Sequence, residues 1–205
     1  MNDPQKLFPV DFFSRTDEQP DVEFYGPPRF VTHIDDRAVA AVSALYTELG
    51  LTGSVLDLMS SWISHFTDRP AELVVLGMNR RELAANEMAH QIVVHDLNAD
   101  PVLPFVDGRF DAVTCCVSID YLTRPIDVLS EAFRVLHPEG LVVCTFSNRC
   151  FPTKVIRGWL ALTDEGRCNA VSEYLRLAGF TKVTAGLRTP VNTFGDPLFA
   201  VVGSK

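Results

Sequence analysis

The feature that most constrains the fold is a series of five short apolar runs, each of strand length. They cover residues 55–58, 72–76, 91–95, 110–118 and 141–146. Apolar runs of this kind are typical of strands buried inside a parallel sheet, and parallel strands need crossover connections that are usually helices. The alternation of these runs with helical patterns therefore predicts an α/β domain with a mostly parallel sheet and helices on both faces.

The helical segments carry their own end signals. Asp35 or Asp36 is expected to cap a helix that ends at Gly50. Asn79 is expected to cap a second helix, and Pro125 to open a third with one apolar face. Two further helical patterns cover residues 155–162 and 163–179.

The end of the chain departs from this alternation. Residues 181–189 and 198–204 are predicted strands, and a turn over residues 190–197 joins them. Two strands joined only by a turn must pair antiparallel. The sheet is therefore expected to have seven strands, with an antiparallel final strand.

The chain begins with an arm over residues 1–34, ahead of a domain over residues 35–205. The arm contains five prolines, so it is expected to be largely irregular. It also contains aromatic residues, which make it too apolar for a disordered tail. They are Phe8, Phe12, Phe13, Phe24, Tyr25 and Phe30. We expect the arm to pack over the domain.

Composition excludes several classes of protein. The net charge is −8 without a lysine or arginine cluster, which disfavours a nucleic-acid partner. No apolar run reaches the ~18 residues of a membrane span, and the start of the chain lacks the plan of a secretory signal. The five cysteines have no C-x-x-C spacing and the histidines are scattered, so a cytoplasmic protein without a metal site is expected. Cys115, Cys116 and Cys144 lie in strand runs, where buried, unreactive thiols are expected. The oligomeric state is not readable.

Several motifs stand out along the chain. Val55-Leu56-Asp57-Leu58 resembles the start of V-L-D-x-G-x-G-x-G, with Met59, Ser61 and Ile63 where the glycines stand. The strongest motifs are residues 103–113, similar to L-P-F-x-D-x-x-F-D-x-V, and residues 131–141, similar to E-x-x-R-V-L-x-P-G-G. Together they resemble the class I S-adenosylmethionine-dependent methyltransferases, in particular the type 11 group. The resemblance covers about residues 35–205 and implies a Rossmann-like fold, S-adenosylmethionine as the cofactor, and an arm over residues 1–34 that serves as a lid.

The resemblance implies that the turn after the first strand contacts the cofactor. Asp57 corresponds to the acid that orients this loop or the cofactor's amino group; alternatively, or in addition, it accepts backbone N–H bonds within the turn. Met59, Ser60, Ser61 and Trp62 form the turn itself. Trp62 either stacks on an adenine or fills an empty cleft.

The second strand of this family ends in an acid that accepts both ribose hydroxyls. Gly77 stands at that place, followed by Met78 and Asn79. Because glycine has no side-chain acceptor, an acid restored at position 77 is expected to tighten cofactor binding by roughly 1.5–3 kcal/mol. The amide oxygen of Asn79 either compensates for the missing acid or caps the next helix.

The third strand is followed by Asp96 and Leu97, which correspond to the family's adenine-reading pair. Alternatively, Asp96 forms an Asx-turn with Asn98. Ser118, after the fourth strand, is expected beside the cofactor.

The resemblance also suggests catalytic residues. Asp120 is expected to accept the acceptor's proton, or else to cap the next helix, and Tyr121 to position the acceptor. His33 is either a general base near neutral pH or a structural histidine. The expected substrate-binding residues are Arg29, Asn148 and Arg149.

These observations favour transfer of a methyl group from S-adenosylmethionine to a small molecule, which depends mainly on in-line placement and exclusion of water. The alternative is a catalytically inactive methyltransferase-fold protein that serves as a binding or scaffold module. Met59, Ile63 and Gly77 favour the alternative, whereas Asp57, Asp96 and the segment after the fifth strand favour an enzyme. A nicotinamide-dependent dehydrogenase is a poor third interpretation, because no G-x-G-x-x-G follows a strand.

Overall fold

The computed structural model describes residues 4–189 and 194–205, in which seven strands form one sheet. The strands are β1 (Ser54–Leu58), β2 (Glu72–Gly77), β3 (Gln91–Val94), β4 (Phe110–Cys116), β5 (Leu136–Phe146), β6 (Thr181–Leu187) and β7 (Phe199–Ser204). The helices are α1 (Asp21–Tyr25), α2 (Asp36–Glu48), α3 (Arg80–Ala84), α4 (Pro125–Val135), α5 (Arg157–Ala161) and α6 (Asp164–Leu177). Short 3₁₀ helices cover Pro4–Leu7 and Ile119–Tyr121.

The order of strands across the sheet is β3-β2-β1-β4-β5-β7-β6. β7 runs antiparallel to both of its neighbours, and the other neighbouring pairs are parallel. The predicted sheet with an antiparallel final strand is therefore confirmed. The predicted turn between the last two strands includes residues 190–193, which lie outside the described residues.

Side chains of β1 alternate between two apolar clusters, one on each face of the sheet. Val55 belongs to the cluster that includes Leu45 of α2, whereas Leu56 and Leu58 belong to the cluster that includes Leu129 of α4 and helix α6. Because every second residue of a strand points to the same face, this alternation shows that helices cover both faces.

One connection differs from the sequence prediction. The segment that follows β1 was expected to turn into a helix, but residues 59–71 contain none. Residues 95–109, after β3, also form no helix, as their many turn residues indicate. Helix α2 covers this part of the sheet instead: Tyr46 packs on Phe66 at a ring distance of 4.7 Å, and Ser43 Oγ donates to the carbonyl of His65. A helix from before β1 thus covers the face that a crossover helix would otherwise occupy.

The other expected end signals are mostly confirmed. Asp35 accepts a hydrogen bond from the backbone N–H of Ala38 and caps α2, and Gly50 follows with a left-handed φ of 65°. The fifth apolar run was predicted as a strand over residues 141–146. The strand begins earlier, since residues 136–140 form the first part of β5, with Glu139 at a φ of 66°.

The first part of the arm is fixed to the domain, and we call residues 8–21 the anchor segment. Phe8 and Phe13 pack on Tyr174 of α6, with ring distances of 5.2 and 5.8 Å. The side chain of Lys154 is fully buried, and its Nζ lies 3.1 Å from Asp21 Oδ1. Arg15 also donates to both carboxylate oxygens of Asp21, at 2.7 and 2.8 Å. The expectation that the arm packs over the domain is confirmed for this segment.

None of the helices in the described ranges combines the length and apolarity needed to cross a membrane. Over the same ranges, no group of three or more His, Cys, Asp or Glu side chains is arranged to hold a metal ion.

Candidate functional site

A cleft of about 340 Å³ lies at the carboxyl ends of β1, β2, β3 and β4, with residues from 21–34 of the arm in its wall. Ligands of open α/β sheets bind at this edge. Most of the residues singled out from the sequence line the cleft. They are Arg29, His33, Asp57, Met59, Ser60, Ser61, Trp62, Gly77, Met78, Asn79, Asp96, Leu97, Ser118, Tyr121 and Arg149.

Asp57 organises the turn after β1. Its side chain is 5% exposed and accepts hydrogen bonds from three hydroxyls, those of Ser60 (2.6 Å), Ser64 (2.8 Å) and Thr114 (2.7 Å). Burial raises the pKa of this carboxyl, and the three hydroxyl donors oppose the rise. The structure therefore corrects the interpretation that backbone N–H groups satisfy Asp57, because the donors shown are side-chain hydroxyls.

The same turn keeps a glycine-like backbone without a glycine. Met59 has a φ of 53°, in the left-handed region that costs a non-glycine residue about 1–2 kcal/mol. Its partly buried side chain packs against the core, which offsets part of this cost. The backbone N–H of Ser60 then donates to the carbonyl of Leu76 at 2.8 Å, which brings the turn onto the end of β2.

This contact explains why residue 77 is a glycine. A Cβ atom at Gly77 would lie 2.3 Å from the carbonyl oxygen of Ser60, far inside the ordinary contact distance. An aspartate at position 77 would therefore displace the turn that forms the cleft. This geometry opposes the expectation that an acid restored at this position tightens cofactor binding, and it predicts weaker binding instead.

Both polar atoms of the Asn79 side chain are hydrogen-bonded within the protein. Its Oδ1 accepts from the backbone N–H groups of Arg81 and Glu82, and its Nδ2 donates to the carbonyls of Tyr25 (3.0 Å) and Gly26 (2.8 Å). The side chain caps α3 and ties the arm to it. Of the two roles considered from the sequence, the structure shows capping.

Asp96 forms the Asx-turn that the sequence offered as one alternative. Its Oδ1 accepts from the backbone N–H groups of Asn98 (3.0 Å) and Ala99 (3.2 Å). Asp96 and Leu97 also line the cleft. The turn and a contact with a ligand are therefore compatible.

Trp62 connects the turn after β1 to the arm. Its Nε1 donates to the carbonyl of Val31 at 3.2 Å, and its ring meets Phe30 edge to face at 6.3 Å. The indole lines the cleft while its polar edge is bonded to the arm.

Comparison with known proteins agrees with this geometry. Residues 47–144 match the family described as methyltransferase domain. A structure of a SAM-dependent methyltransferase from Archaeoglobus fulgidus superposes with a TM-score of 0.61 at 14% identity, over 83% of this chain and 95% of that one. The chain has the class I methyltransferase fold.

Two further comparisons describe the relatives of this methyltransferase fold. A ubiquinone/menaquinone biosynthesis C-methyltransferase UbiE of Roseobacter denitrificans is 45% identical over 84 residues, which are 40% of this chain and 32% of that protein. The matched segment thus spans about a third of the relative's length. The 1,6-didemethyltoxoflavin-N1-methyltransferase of Burkholderia thailandensis, solved with bound 1,6-didemethyltoxoflavin and S-adenosylhomocysteine, has a TM-score of 0.62 at 17% identity over 83% of this chain and 78% of that one.

Opposite the turn after β1, the cleft of this methyltransferase fold has an aromatic wall. Tyr121 accepts a hydrogen bond from the backbone N–H of Phe151 at 2.8 Å, and the two rings lie 5.8 Å apart. His33 meets Phe151 edge to face at 5.2 Å, and the guanidinium of Arg29 lies 4.6 Å from the ring centroid of Phe24. Desolvation lowers the pKa of His33, while the nearby Glu82 carboxylate opposes this change.

The remaining predicted residues differ in their surroundings. Asp120 is 2% exposed and is not among the residues that line the cleft, so its position does not support contact with an acceptor. Asn148 is exposed and also lies outside the lining. The Arg149 side chain is 66% exposed and its Nε donates to Asp196 at 2.7 Å, while Ser118 Oγ donates to the carbonyl of Cys116.

Sequence reasoning missed several residues of the cleft wall, above all Glu82, Phe151 and His65. Glu82 lies on the short helix α3 and belongs to no sequence motif, so only its contacts in the folded protein indicate a role in the cleft. Phe151 follows Arg149 in the segment after β5, so its position after a strand was the one available signal. Cys116 also lines the cleft, which corrects the expectation that it is buried with Cys115 and Cys144.

Proposed function

We propose that this protein binds S-adenosylmethionine in the cleft and transfers its methyl group to a small-molecule acceptor. The observation that carries the proposal is the convergence of the turn organised by Asp57, the Asp96–Leu97 pair and Ser118 on one cleft at the strand ends. The match of residues 47–144 to the methyltransferase domain supports it. The net charge of −8 argues against a nucleic-acid acceptor. The free cysteines suit a reducing compartment such as the cytoplasm.

The polar groups of the cleft fit a nucleoside-containing cofactor. Tyr25 Oη and His65 Nδ1 are buried, line the cleft and have no hydrogen-bond partner within the described ranges. Buried polar atoms are usually satisfied, so a polar ligand is expected here. Asp96 and Leu97 would hold the adenine end, and the turn over residues 59–62 would lie along the rest of the cofactor.

When bound, the cofactor supplies a methyl group already activated by its sulfonium. The chain therefore needs to position the acceptor and exclude water. Tyr121 and Phe151 supply an apolar surface for the acceptor, with Arg29 and Arg149 nearby for an anionic group. The lowered pKa of His33 keeps its imidazole neutral near pH 7, in the form that accepts a proton.

Residues 22–34, which we call the lid segment, would close the cleft. Three contacts hold it to the cofactor side: Asn79 donates to the carbonyls of Tyr25 and Gly26, Trp62 donates to Val31, and Arg29 N–H donates to Glu82 at 2.6 Å. These are hydrogen bonds at the rim of the cleft, in contrast to the buried ion pairs of the anchor segment. A lid must open, so it belongs to the less stable part of the structure.

Titration calorimetry with S-adenosylhomocysteine tests the proposal directly, and hydrogen exchange tests the lid. Binding should slow exchange across residues 22–34 more than in the strands, and leave the anchor segment unchanged. Absence of binding, together with equal and strong protection of the arm in all conditions, would instead support a binding or scaffold protein with a filled cleft.

A further inference from the structure

The carboxylate best placed to read a ribose in this cleft is Glu82 of α3. Among the residues that the structure describes, four carboxylates line the cleft, those of Asp21, Asp57, Glu82 and Asp96. Asp57 is 5% exposed and holds three hydroxyl donors, and Asp21 is 4% exposed and is occupied by Arg15 and Lys154. Only Glu82 and Asp96 are partly exposed. Asp96 follows β3, at the adenine end of the proposed site.

Glu82 lies at the end of β2 where the usual acid is missing. Its Oε2 accepts from Ser61 Oγ at 2.6 Å, and Ser61 follows the residue whose carbonyl covers Gly77. The next helical residue, Leu83, would lie 3.3 Å from a Cβ at Gly77. The Glu82 carboxylate is therefore fixed beside the position that glycine leaves without an acceptor.

The Glu82 carboxylate keeps acceptor capacity for a ligand. An ionised carboxylate has about four lone-pair sites on its two oxygens. Within the described part of the chain two are used, since Oε1 accepts from the backbone N–H of Arg29 and Oε2 from the hydroxyl of Ser61. The two remaining sites match the two hydroxyls of a ribose, whereas Asn79 has both of its side-chain atoms engaged by the protein.

We propose that Glu82, in place of an acid at the end of β2, accepts the hydrogen bonds of the cofactor's ribose hydroxyls. This inference rests on the proposed function. The same carboxylate also binds the lid segment, because its Oε1 accepts the hydrogen bond from the backbone N–H of Arg29. Ribose recognition and lid closure would then depend on one side chain.

Calorimetric titration of Glu82→Gln with two ligands tests this role. The ligands are S-adenosylhomocysteine and its 2′,3′-dideoxyribose analogue, which lacks both hydroxyls. Loss of a charged acceptor should weaken S-adenosylhomocysteine binding about tenfold or more and leave the analogue within about twofold. Glu87→Gln, an exposed glutamate outside the cleft lining, is the matched control and should change neither affinity.

The outcomes separate this inference from the proposed function. If the unchanged protein fails to bind S-adenosylhomocysteine, the proposed function and the role of Glu82 are both wrong. If the unchanged protein binds but Glu82→Gln weakens both ligands equally, or neither, only the role of Glu82 is overturned. Should Glu82→Gln fold poorly, Glu82→Asp keeps the charge and shortens the side chain, and it must show the same selective loss to a smaller extent.

Discussion

Replacing Gly77 by alanine places a methyl group where the turn after β1 crosses the end of β2. The added Cβ would lie 2.3 Å from the Ser60 carbonyl oxygen, so relief to an ordinary contact of about 3.4 Å requires a shift of about 1 Å. Overpacking of this kind costs about 1–3 kcal/mol. The shift also lengthens the 2.8 Å hydrogen bond from Ser60 N to Leu76 O, which adds about 0.5–1.5 kcal/mol. The expected loss of unfolding free energy is therefore about 1.5–4.5 kcal/mol.

Urea unfolding of Gly77→Ala measures this loss, and Gly186→Ala is the matched control. Gly186 also lies in a strand, but a Cβ there meets no atom within 4 Å. The control should remain within about 0.5 kcal/mol of the unchanged protein. Because the displaced turn forms the cleft, Gly77→Ala and Gly77→Asp should also bind S-adenosylhomocysteine more weakly. If Gly77→Ala is as stable as the control, the Ser60 carbonyl does not cover Gly77 and the account of this turn is wrong.

Three further predictions concern buried groups. Lys154→Met should destabilise the protein by about 2–4 kcal/mol, measured by urea unfolding, because it leaves buried carboxylate charge without one of its partners. Burial raises the pKa of Asp120 to about 7, so the folded protein holds a proton that the unfolded chain releases above about pH 4. The contribution of Asp120 to the free energy of unfolding therefore falls as the pH rises from about 4 to 7. Asp120→Asn should remove this fall, as measured by urea unfolding at pH 5 and pH 8. In thiol labelling, Cys150 should react before Cys116, because desolvation at the cleft wall raises the pKa of Cys116 to about 12, and the fully buried Cys144 should stay unmodified.

Each of these predictions has a control or a contrary outcome. Lys6→Met, at an exposed lysine, should leave stability unchanged, and an equal loss in both lysine variants would show that the buried pairs are unimportant. A pH dependence that persists in Asp120→Asn would mean that another group titrates. Bound S-adenosylhomocysteine should slow labelling of Cys116. An unchanged labelling rate in the presence of the ligand would count against binding in this cleft.

The sheet was readable from the sequence because strand patterns are local. The apolar runs over residues 55–58 and 72–76 coincide with β1 and β2 within one residue, and Asn79 and Pro125 mark the starts of helices. The missing helix after β1 was not readable, because α2 covers that face through contacts such as Tyr46 with Phe66, which lie twenty residues apart. Short helical segments without their own packing partner are marginal, so tertiary contacts decide whether they form.

The positions of the candidate site were also set largely by the sequence, since residues that follow parallel strands meet at one edge of the sheet. Asp57, Gly77 and Asp96 come together for this reason. What each side chain does there was decided by the tertiary structure. The bonds between the arm and Asn79, and between Arg29 and Glu82, join residues more than fifty positions apart. Spacing along the chain specifies which strand end a residue occupies. The number of hydrogen bonds that a carboxylate such as Glu82 can still accept depends instead on every neighbour that folding brings to it.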